Sequence, residues 1–285
     1  MILHPDTHMQ LSQLKEHLPH ALIVSGPEGM GKIETVLAMI KELHPEAKDT
    51  IAHANWQYLQ KIEPEDGKKS IGIAQIKQLE ELLRLKDAHK RYVLIDQAHA
   101  MTTEAQNSFL KTLEEPPEDT HIFLVTQSIE QLLPTIRSRA QHIHFKPIDE
   151  ATFTNYLGNE YDLDQDLARR LFYITQGRPL AAARLAEDTT ALDELLELTN
   201  DAKKFLQSDL GARLTVFEKY SKNTQLASDL LRSIIVVARA ALSTSQTNNQ
   251  KKHLASVLAK LFTAERRLKN YVQPKLVFAE LMLKL

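Results

Sequence analysis

The chain has 285 residues, of which 43% are hydrophobic and 25% are charged, and its formal net charge at pH 7 is −2. This balance excludes a basic surface spread over the whole chain, so any contact with DNA must be local or indirect. The chain has no cysteine, which excludes disulfides and thiolate metal sites and agrees with a reducing, cytoplasmic location. No signal-peptide pattern and no apolar run near the ~20 residues that span a bilayer are present, so no membrane partner is expected.

Strand-like and helix-like segments alternate over the first half of the chain. A helix is predicted over residues 11–18, and a buried strand over residues 20–25 leads into a glycine-rich loop and a helix over 32–43. Further strands are predicted at 56–62, 91–96, 121–126 and 143–145. Thr103 and Gln106 have capping-box spacing at the start of one intervening helix. Strands that alternate with helices indicate an α/β fold with a parallel sheet covered on both faces.

The pattern becomes almost entirely helical in the second half. We predict three domains: an α/β core over residues 1–148, a small helical domain over 149–190 and a C-terminal all-helical domain over 191–285. Residues 188–190 are expected to be a linker, and the polar residues 243–250 are expected to be a loop.

The loop after the first strand reads GPEGMGK over residues 26–32, which is the phosphate-binding pattern G-x-x-x-x-G-K. In such a loop, backbone N–H groups and a helix N-terminus face the phosphates and the lysine adds a cation. The predicted nucleotide-binding residues here are Gly26, Gly29, Gly31 and Lys32. The next residue is normally Ser or Thr, whose hydroxyl ligates Mg²⁺, but here it is Ile33. We therefore expect nucleotide binding with a weak Mg²⁺ dependence; a glycine-rich turn with a chance lysine is the alternative.

Polar side chains follow two other predicted strands. Asp96 is positioned to act on the Mg²⁺ of a nucleotide, although a strand-end acid that caps a turn is the alternative. The following residue is Gln97, whose amide cannot serve as a general base near neutral pH, although it can still orient a water molecule. Thr126 closes another strand beside the expected γ-phosphate position, or is simply a polar strand end. We predict Asp96 and Thr126 as nucleotide-site residues.

Two arginines flank a serine in the segment Arg137-Ser138-Arg139. This segment is either a solvated surface or an arginine finger, a guanidinium offered to the active site of a neighbouring subunit to stabilise transferred charge.

A longer string links these motifs to a known family. Residues 105–117 read AQNSFLKTLEEPP and residues 135–139 read TIRSR, and together they closely resemble bacterial sliding-clamp loader subunits of the AAA+ family. The resemblance extends over most of the chain and is weakest between residues 188 and 249. It implies an AAA+ P-loop core, a helical lid and a C-terminal helical collar. It also implies partners: the delta and gamma/tau loader subunits, the sliding clamp, and primed DNA reached through the assembly.

Three departures from the ATPase pattern of this family point to a non-motor subunit. These are Ile33, Gln97 and Leu180, the last at the position of a sensing arginine that the lid of a motor subunit carries. Ser138 and Arg139 match the finger that such a subunit contributes in trans. The resemblance implies a stator of a pentameric loader, in which ATP or ADP binds without useful hydrolysis. The alternatives are an ATP-hydrolysing gamma/tau-type subunit or related AAA+ ATPase, and a free-standing DNA-binding module, which the balanced charge disfavours.

Members of this family commonly carry a four-cysteine zinc module between the P-loop helix and the second strand. Because this chain has no cysteine, and because His44 and His53 alone cannot complete a tetrahedral site, neither zinc nor any other metal site is expected.

Overall fold

The structure is a computed structural model that describes residues 2–47, 56–84, 89–270 and 272–285. The chain divides into two compact units, one of Met1–Phe153 with Gly177–Ala181 and one of Thr154–Gln176 with Ala182–Leu285. The predicted three-domain division stays a prediction. Among the described residues, no helix is long and apolar enough to cross a membrane.

The first unit contains a five-stranded sheet with the order β2-β3-β4-β1-β5, in which every neighbouring pair is parallel. The elements of this part of the chain are α1 (Pro5–Glu16), β1 (Ala21–Ser25), α2 (Lys32–Leu43), β2 (Leu59–Ile62), α3 (Ile73–Arg84), β3 (Arg91–Ile95), α4 (Thr103–Glu114), β4 (Thr120–Thr126), α5 (Pro134–Arg137) and β5 (Gln141–His144). Short 3₁₀ turns lie at Pro45–Ala47, Ala98–Ala100 and Ile129–Gln131.

Alternate residues of the strands feed two hydrophobic cores, one on each face of the sheet. On one face Ile23, Val93 and Leu124 pack with apolar residues of α3 and α4. On the other face Val24 and Phe123 pack with residues of α1 and α2. This arrangement explains why the strands read as continuous apolar runs, since both of their faces are buried.

The second half of the chain is helical, as predicted. Its helices are α6 (Glu150–Tyr161), α7 (Gln165–Thr175), α8 (Pro179–Glu187), α9 (Thr189–Gln207), α10 (Leu210–Tyr220), α11 (Thr224–Thr244), α12 (Asn248–Lys269) and α13 (Pro274–Lys284). The core of the second unit is built from α9 to α13. At its centre Phe278 stacks on Phe217 with ring centroids 4.4 Å apart and meets Phe205 edge-on at 6.0 Å.

Several predicted boundaries are wrong for identifiable reasons. The expected linker is a single residue, because the Asp188 side chain accepts the Ala191 N–H and caps α9 directly. The expected polar loop shrinks to residues 245–247, because Thr247 caps α12. The second strand begins at Leu59, whose N–H first closes a turn onto the carbonyl of Trp56.

The predicted capping box at Thr103 and Gln106 is also wrong. The N-cap of α4 is Thr102, whose side chain accepts the Ala105 N–H at 3.2 Å. Gln106 is buried, and its side chain hydrogen-bonds two other segments of the same chain instead. Its side-chain amide donates to the carbonyl of Met101 at 3.2 Å and accepts the Leu133 N–H at 2.8 Å.

Candidate functional site

The phosphate-type loop lies at the carboxyl edge of the sheet, between β1 and α2, as the sequence predicts. Gly26 has φ 143°, and a side chain there would meet the backbone oxygen of Phe145 at 2.8 Å. Only glycine fits this position, because positive φ and close backbone approach both exclude a Cβ. Gly31 is left-handed, with φ 75°, and begins α2 as its N-cap. The loop therefore depends on glycine at both ends and leads directly into the N-terminus of α2.

The lysine of this loop is turned inward onto the loop itself. The Nζ of Lys32 donates to the carbonyl oxygens of Gly26 at 2.8 Å and Pro27 at 2.7 Å. The residue is only 8% exposed, and burial lowers the pKa of its ammonium group. A phosphate that binds in this loop must compete with both carbonyl contacts for the lysine.

The middle of the loop is joined to the start of α8. The carbonyl oxygen of Gly29 accepts the backbone N–H groups of Leu180 at 3.0 Å and Ala181 at 3.2 Å. A side chain at Gly29 would meet the Cβ of Ala181 at 2.8 Å. Arg178 donates from Nη1 to the carbonyl of Glu28 at 3.5 Å. Residues 178–181 thus contact the backbone of the loop, and Leu180 does so through its main chain.

Hydroxyl and carboxyl groups near the loop have protein partners. Ile33 packs against the hydrophobic core, and the next hydroxyl along α2, that of Thr35, donates to the Gly31 carbonyl at 2.7 Å. The Asp96 carboxylate accepts the N–H of Gln97 at 2.7 Å. Burial raises the pKa of Asp96, and Gln97 has φ 50° in the left-handed region.

Thr126 lies beside Ser25 in the parallel register of β4 and β1. Its hydroxyl donates to the carbonyl of Ser128 at 2.9 Å and lies 3.4 Å from Nδ1 of His99. Burial lowers the pKa of His99. The sequence did not single out this histidine as a site residue. The one available signal was its position three residues after Asp96, in the 3₁₀ turn that follows β3.

Two further histidines were missed at the same edge of the sheet. The hydroxyl of Ser25 lies 2.7 Å from Nε2 of His142 and 2.9 Å from Nδ1 of His144. The two imidazoles converge because residues two apart on a strand share a face, and because β5 pairs with β1. The sequence contained the spacing, but only the pairing of the strands shows that both rings reach the residue before the loop.

Arg139 lies at the opposite, amino edge of the sheet. Its Nη1 donates to the carbonyl of Thr135 at 2.9 Å and to the hydroxyl of Ser138 at 3.2 Å, and its Nη2 donates to Glu114 Oε1 at 2.5 Å. Its own carbonyl oxygen accepts a hydrogen bond from Nε2 of His20 at 3.1 Å. The Arg139 side chain is 33% exposed.

The two arginines of the Arg-Ser-Arg segment are therefore in different environments. Arg139 lines an open depression of about 700 Å³ together with Pro19, His20, Glu114, Ser138 and Gln141. Arg137 is half-buried, and its Nε has no hydrogen-bond partner among the described residues. Arg139 is therefore the arginine of this segment that lines the depression.

The histidine that the zinc argument singled out has other partners. Nδ1 of His44 hydrogen-bonds Glu46 at 2.9 Å, and its Nε2 hydrogen-bonds the hydroxyl of Tyr92 at 2.9 Å. His44 also packs against Trp56 with ring centroids 4.7 Å apart. His53 lies outside the described residues. Within those residues, no group of three or more histidine or carboxylate side chains is placed to hold a metal ion.

Comparisons with known proteins agree with the resemblance. A family profile described as "DNA polymerase III, delta subunit" matches residues 6–149. DNA polymerase III subunit delta′ of Escherichia coli (strain K12) is 31% identical over 182 residues, which cover 58% of this chain and 54% of that protein. The subunit delta′ of Bacillus subtilis (strain 168) is 29% identical over 255 residues, which cover 83% of this chain and 76% of that protein. The chain thus spans about half the length of the E. coli relative.

Among solved structures, a crystal structure of a DNA polymerase III gamma subunit-related protein from Thermotoga maritima aligns over 97% of this chain and 99% of that chain. The TM-score is 0.53 and the sequence identity is 19%, so this likeness concerns the fold alone. The predicted fold class, α/β with a parallel sheet, is confirmed.

Proposed function

Because the chain belongs to the DNA polymerase III delta-subunit family, we propose that it is a non-motor subunit of a sliding-clamp loader. In this proposal it is a stator that lends Arg139 to the ATPase site of a neighbouring subunit. The observation that carries the proposal is the contrast between two cations. Lys32, which would serve this chain's own nucleotide, is buried on loop carbonyls. Arg139, which would serve a neighbour's nucleotide, lines an open surface.

The chain's own loop holds ATP or ADP weakly at most and does not turn it over usefully. Ile33 offers no hydroxyl to Mg²⁺, and Thr35 donates its hydroxyl to the helix backbone. Gln97 cannot take up a proton as a general base. The carbonyl of Gly29 accepts hydrogen bonds from the N–H groups of residues 180 and 181, so contacts within the chain hold the backbone of the loop.

The C-terminal helix supports assembly with other subunits through a collar. On α13 one face is buried in the core of its unit, while Leu276 is 59% exposed and Leu283 is 77% exposed. Ala279, which lies between them at helical spacing, is also exposed. A helix that is apolar on both faces is typical of one that is covered on both sides. The partners we propose are the delta and gamma/tau subunits, with the clamp and primed DNA reached through the assembly.

The test is Arg139→Ala in a loader reconstituted with its delta and gamma/tau subunits. We expect ATP turnover at the adjoining site to fall by about 1,000-fold, the factor that an arginine finger typically contributes, and clamp loading to fall with it. Arg232→Ala, which removes an exposed arginine side chain from α11, is the matched control and should leave both rates unchanged. Unchanged DNA-stimulated turnover in the Arg139→Ala loader would reject the proposed role.

The second candidate is an ATP-hydrolysing subunit of the gamma/tau type, which the intact glycine pattern and Asp96 favour. This candidate predicts that the isolated chain hydrolyses ATP in a Mg²⁺-dependent manner and that Lys32→Ala abolishes the activity. The stator proposal predicts no significant turnover by the isolated chain in either form.

A further inference from the structure

The ion pair between Arg139 and Glu114 has a role beyond holding two surface side chains together. We propose that Glu114 is a positioning residue. It keeps the Arg139 guanidinium compensated and oriented at the surface until the phosphates of a neighbour's nucleotide displace it. This inference rests on the proposed function, because it concerns how the same arginine is delivered.

The hydrogen bonds of Arg139 leave part of its guanidinium available. An arginine has five N–H donors. Within the described residues, two of them reach Thr135 and Ser138 from Nη1, and a third reaches Glu114 from Nη2. The Nε–H and the second Nη2–H are therefore open to a phosphate, and these two groups belong to the fork with which arginine binds oxyanions.

Glu114 stands at a position where local helix physics disfavours an acid. It is the last residue of α4, and a carboxylate at a helix C-terminus opposes the partial negative charge of the helix dipole. The side chain does have a long-range partner, because its carboxylate contacts Arg139, 25 residues further along the chain. The contact with Arg139 therefore offsets the unfavourable placement of this carboxylate.

The ion pair between Glu114 and Arg139 orients the guanidinium, and its interaction free energy is small enough for another anion to replace the carboxylate. Glu114 is 49% exposed and Arg139 is 33% exposed, so water screens their attraction. A terminal phosphate bears more charge than a carboxylate and accepts hydrogen bonds from both atoms of the guanidinium fork. A phosphate that takes the open Nε–H and Nη2–H therefore competes with Glu114 for the charge of the guanidinium, while Thr135 and Ser138 keep the guanidinium in place.

The test compares Glu114→Gln with Glu115→Gln in the reconstituted loader. Both substitutions remove one negative charge at the same helix end, and Glu115 is exposed; its side chain has no hydrogen bond or ion pair among the described residues. The glutamine that replaces Glu114 retains an oxygen acceptor for Nη2 but lacks the charge that competes with phosphate. We expect Glu114→Gln to lower the ATP concentration for half-maximal turnover by about threefold to fivefold, the factor that a surface ion pair is worth. The maximal rate and the thermal unfolding midpoint should not change.

Glu115→Gln should change neither kinetic constant. In an Arg139→Ala background, in which ATP binding replaces turnover as the measurement, Glu114→Gln should have no effect. The inference is overturned if Glu114→Gln and Glu115→Gln behave alike, or if Glu114→Gln lowers only the maximal rate. In either case a large effect of Arg139→Ala would leave the proposed function standing. If Arg139→Ala itself has no effect on turnover, the proposed function fails first.

Discussion

Lys32 lies near the carboxyl ends of the strands of the parallel sheet, and Arg139 lies near their amino ends. The two cations differ in their burial and in their hydrogen-bond partners. Lys32, at the carboxyl edge, is 8% exposed and its ammonium donates to two neutral carbonyls. Arg139, at the amino edge, is 33% exposed and faces a carboxylate. Burial of the Lys32 ammonium lowers its pKa, and the attraction of Asp96, Glu28 and Glu34 opposes the shift without cancelling it. The Arg139 guanidinium, in contrast, is paired with the carboxylate of Glu114 at the surface. Burial and partner chemistry therefore decide which of the two cations can serve a second molecule.

The largest change in the free energy of unfolding is expected from Gly29→Ala, in the loop that holds Lys32. The new Cβ would lie 2.8 Å from that of Ala181, at a residue with φ +80°. We expect the free energy of unfolding to fall by about 2–4 kcal/mol, because backbone strain adds to the overlap. Gly67→Ala is the matched control, since Gly67 has φ +77° with nothing within 4 Å, and it should cost only about 1 kcal/mol. Equal losses in urea denaturation would contradict the contact between the loop and α8.

A smaller, pH-dependent effect is expected from Lys32→Met. Burial lowers the pKa of Lys32 below its ordinary 10.5. Between the lowered value and 10.5 the unfolded chain binds more protons than the folded chain, so the lysine's contribution to stability rises with pH. The free energy of unfolding of the wild type, relative to the variant, should therefore increase towards pH 10.5, by at most about 1.4 kcal/mol per pH unit. Parallel curves for the two proteins over pH 8–10.5 would show that Lys32 is solvated.

The smallest change in the free energy of unfolding is expected at the N-cap of α4, the helix that ends at Glu114. Thr102→Ala removes the side chain that caps this helix and should cost about 1 kcal/mol of unfolding free energy. Thr103→Ala changes an exposed residue in the first turn and should be nearly neutral, since alanine has the higher helix propensity. The reverse order in urea denaturation would support the capping box that the sequence predicts and contradict the structure.

Much of the sheet was predictable from sequence because its signal is local. Runs such as residues 92–95 are apolar since both faces of the sheet are covered, and helix α2 has the bounds 32–43 that the sequence predicts. Cap chemistry was less predictable, because Thr102 and Thr103 are adjacent and only one of them has the extended backbone of an N-cap.

The environment of each site residue was not predictable, because it depends on groups distant in the sequence. The sequence predicts Lys32 and Arg139 as site residues, but it holds no sign that the Lys32 side chain turns onto the carbonyls of its own loop. The pairing of Arg139 with Glu114 spans 25 residues, and that of Ser25 with His144 spans 119. The string that carries the family resemblance contained Glu114, yet its spacing from Arg139 has no helical or strand periodicity that would join the two.

Strand β1 runs from the end of the sheet near Arg139 to the end that carries the phosphate-type loop. It begins beside His20, which holds the Arg139 carbonyl, and it ends at Ser25, directly before the phosphate-type loop. All five of its residues are buried, and it is bonded to β4 on one side and β5 on the other. A strand of this length spans about 16 Å, and ladders on both sides prevent it from sliding. The strand therefore fixes the distance between the phosphate-type loop and the backbone of Arg139.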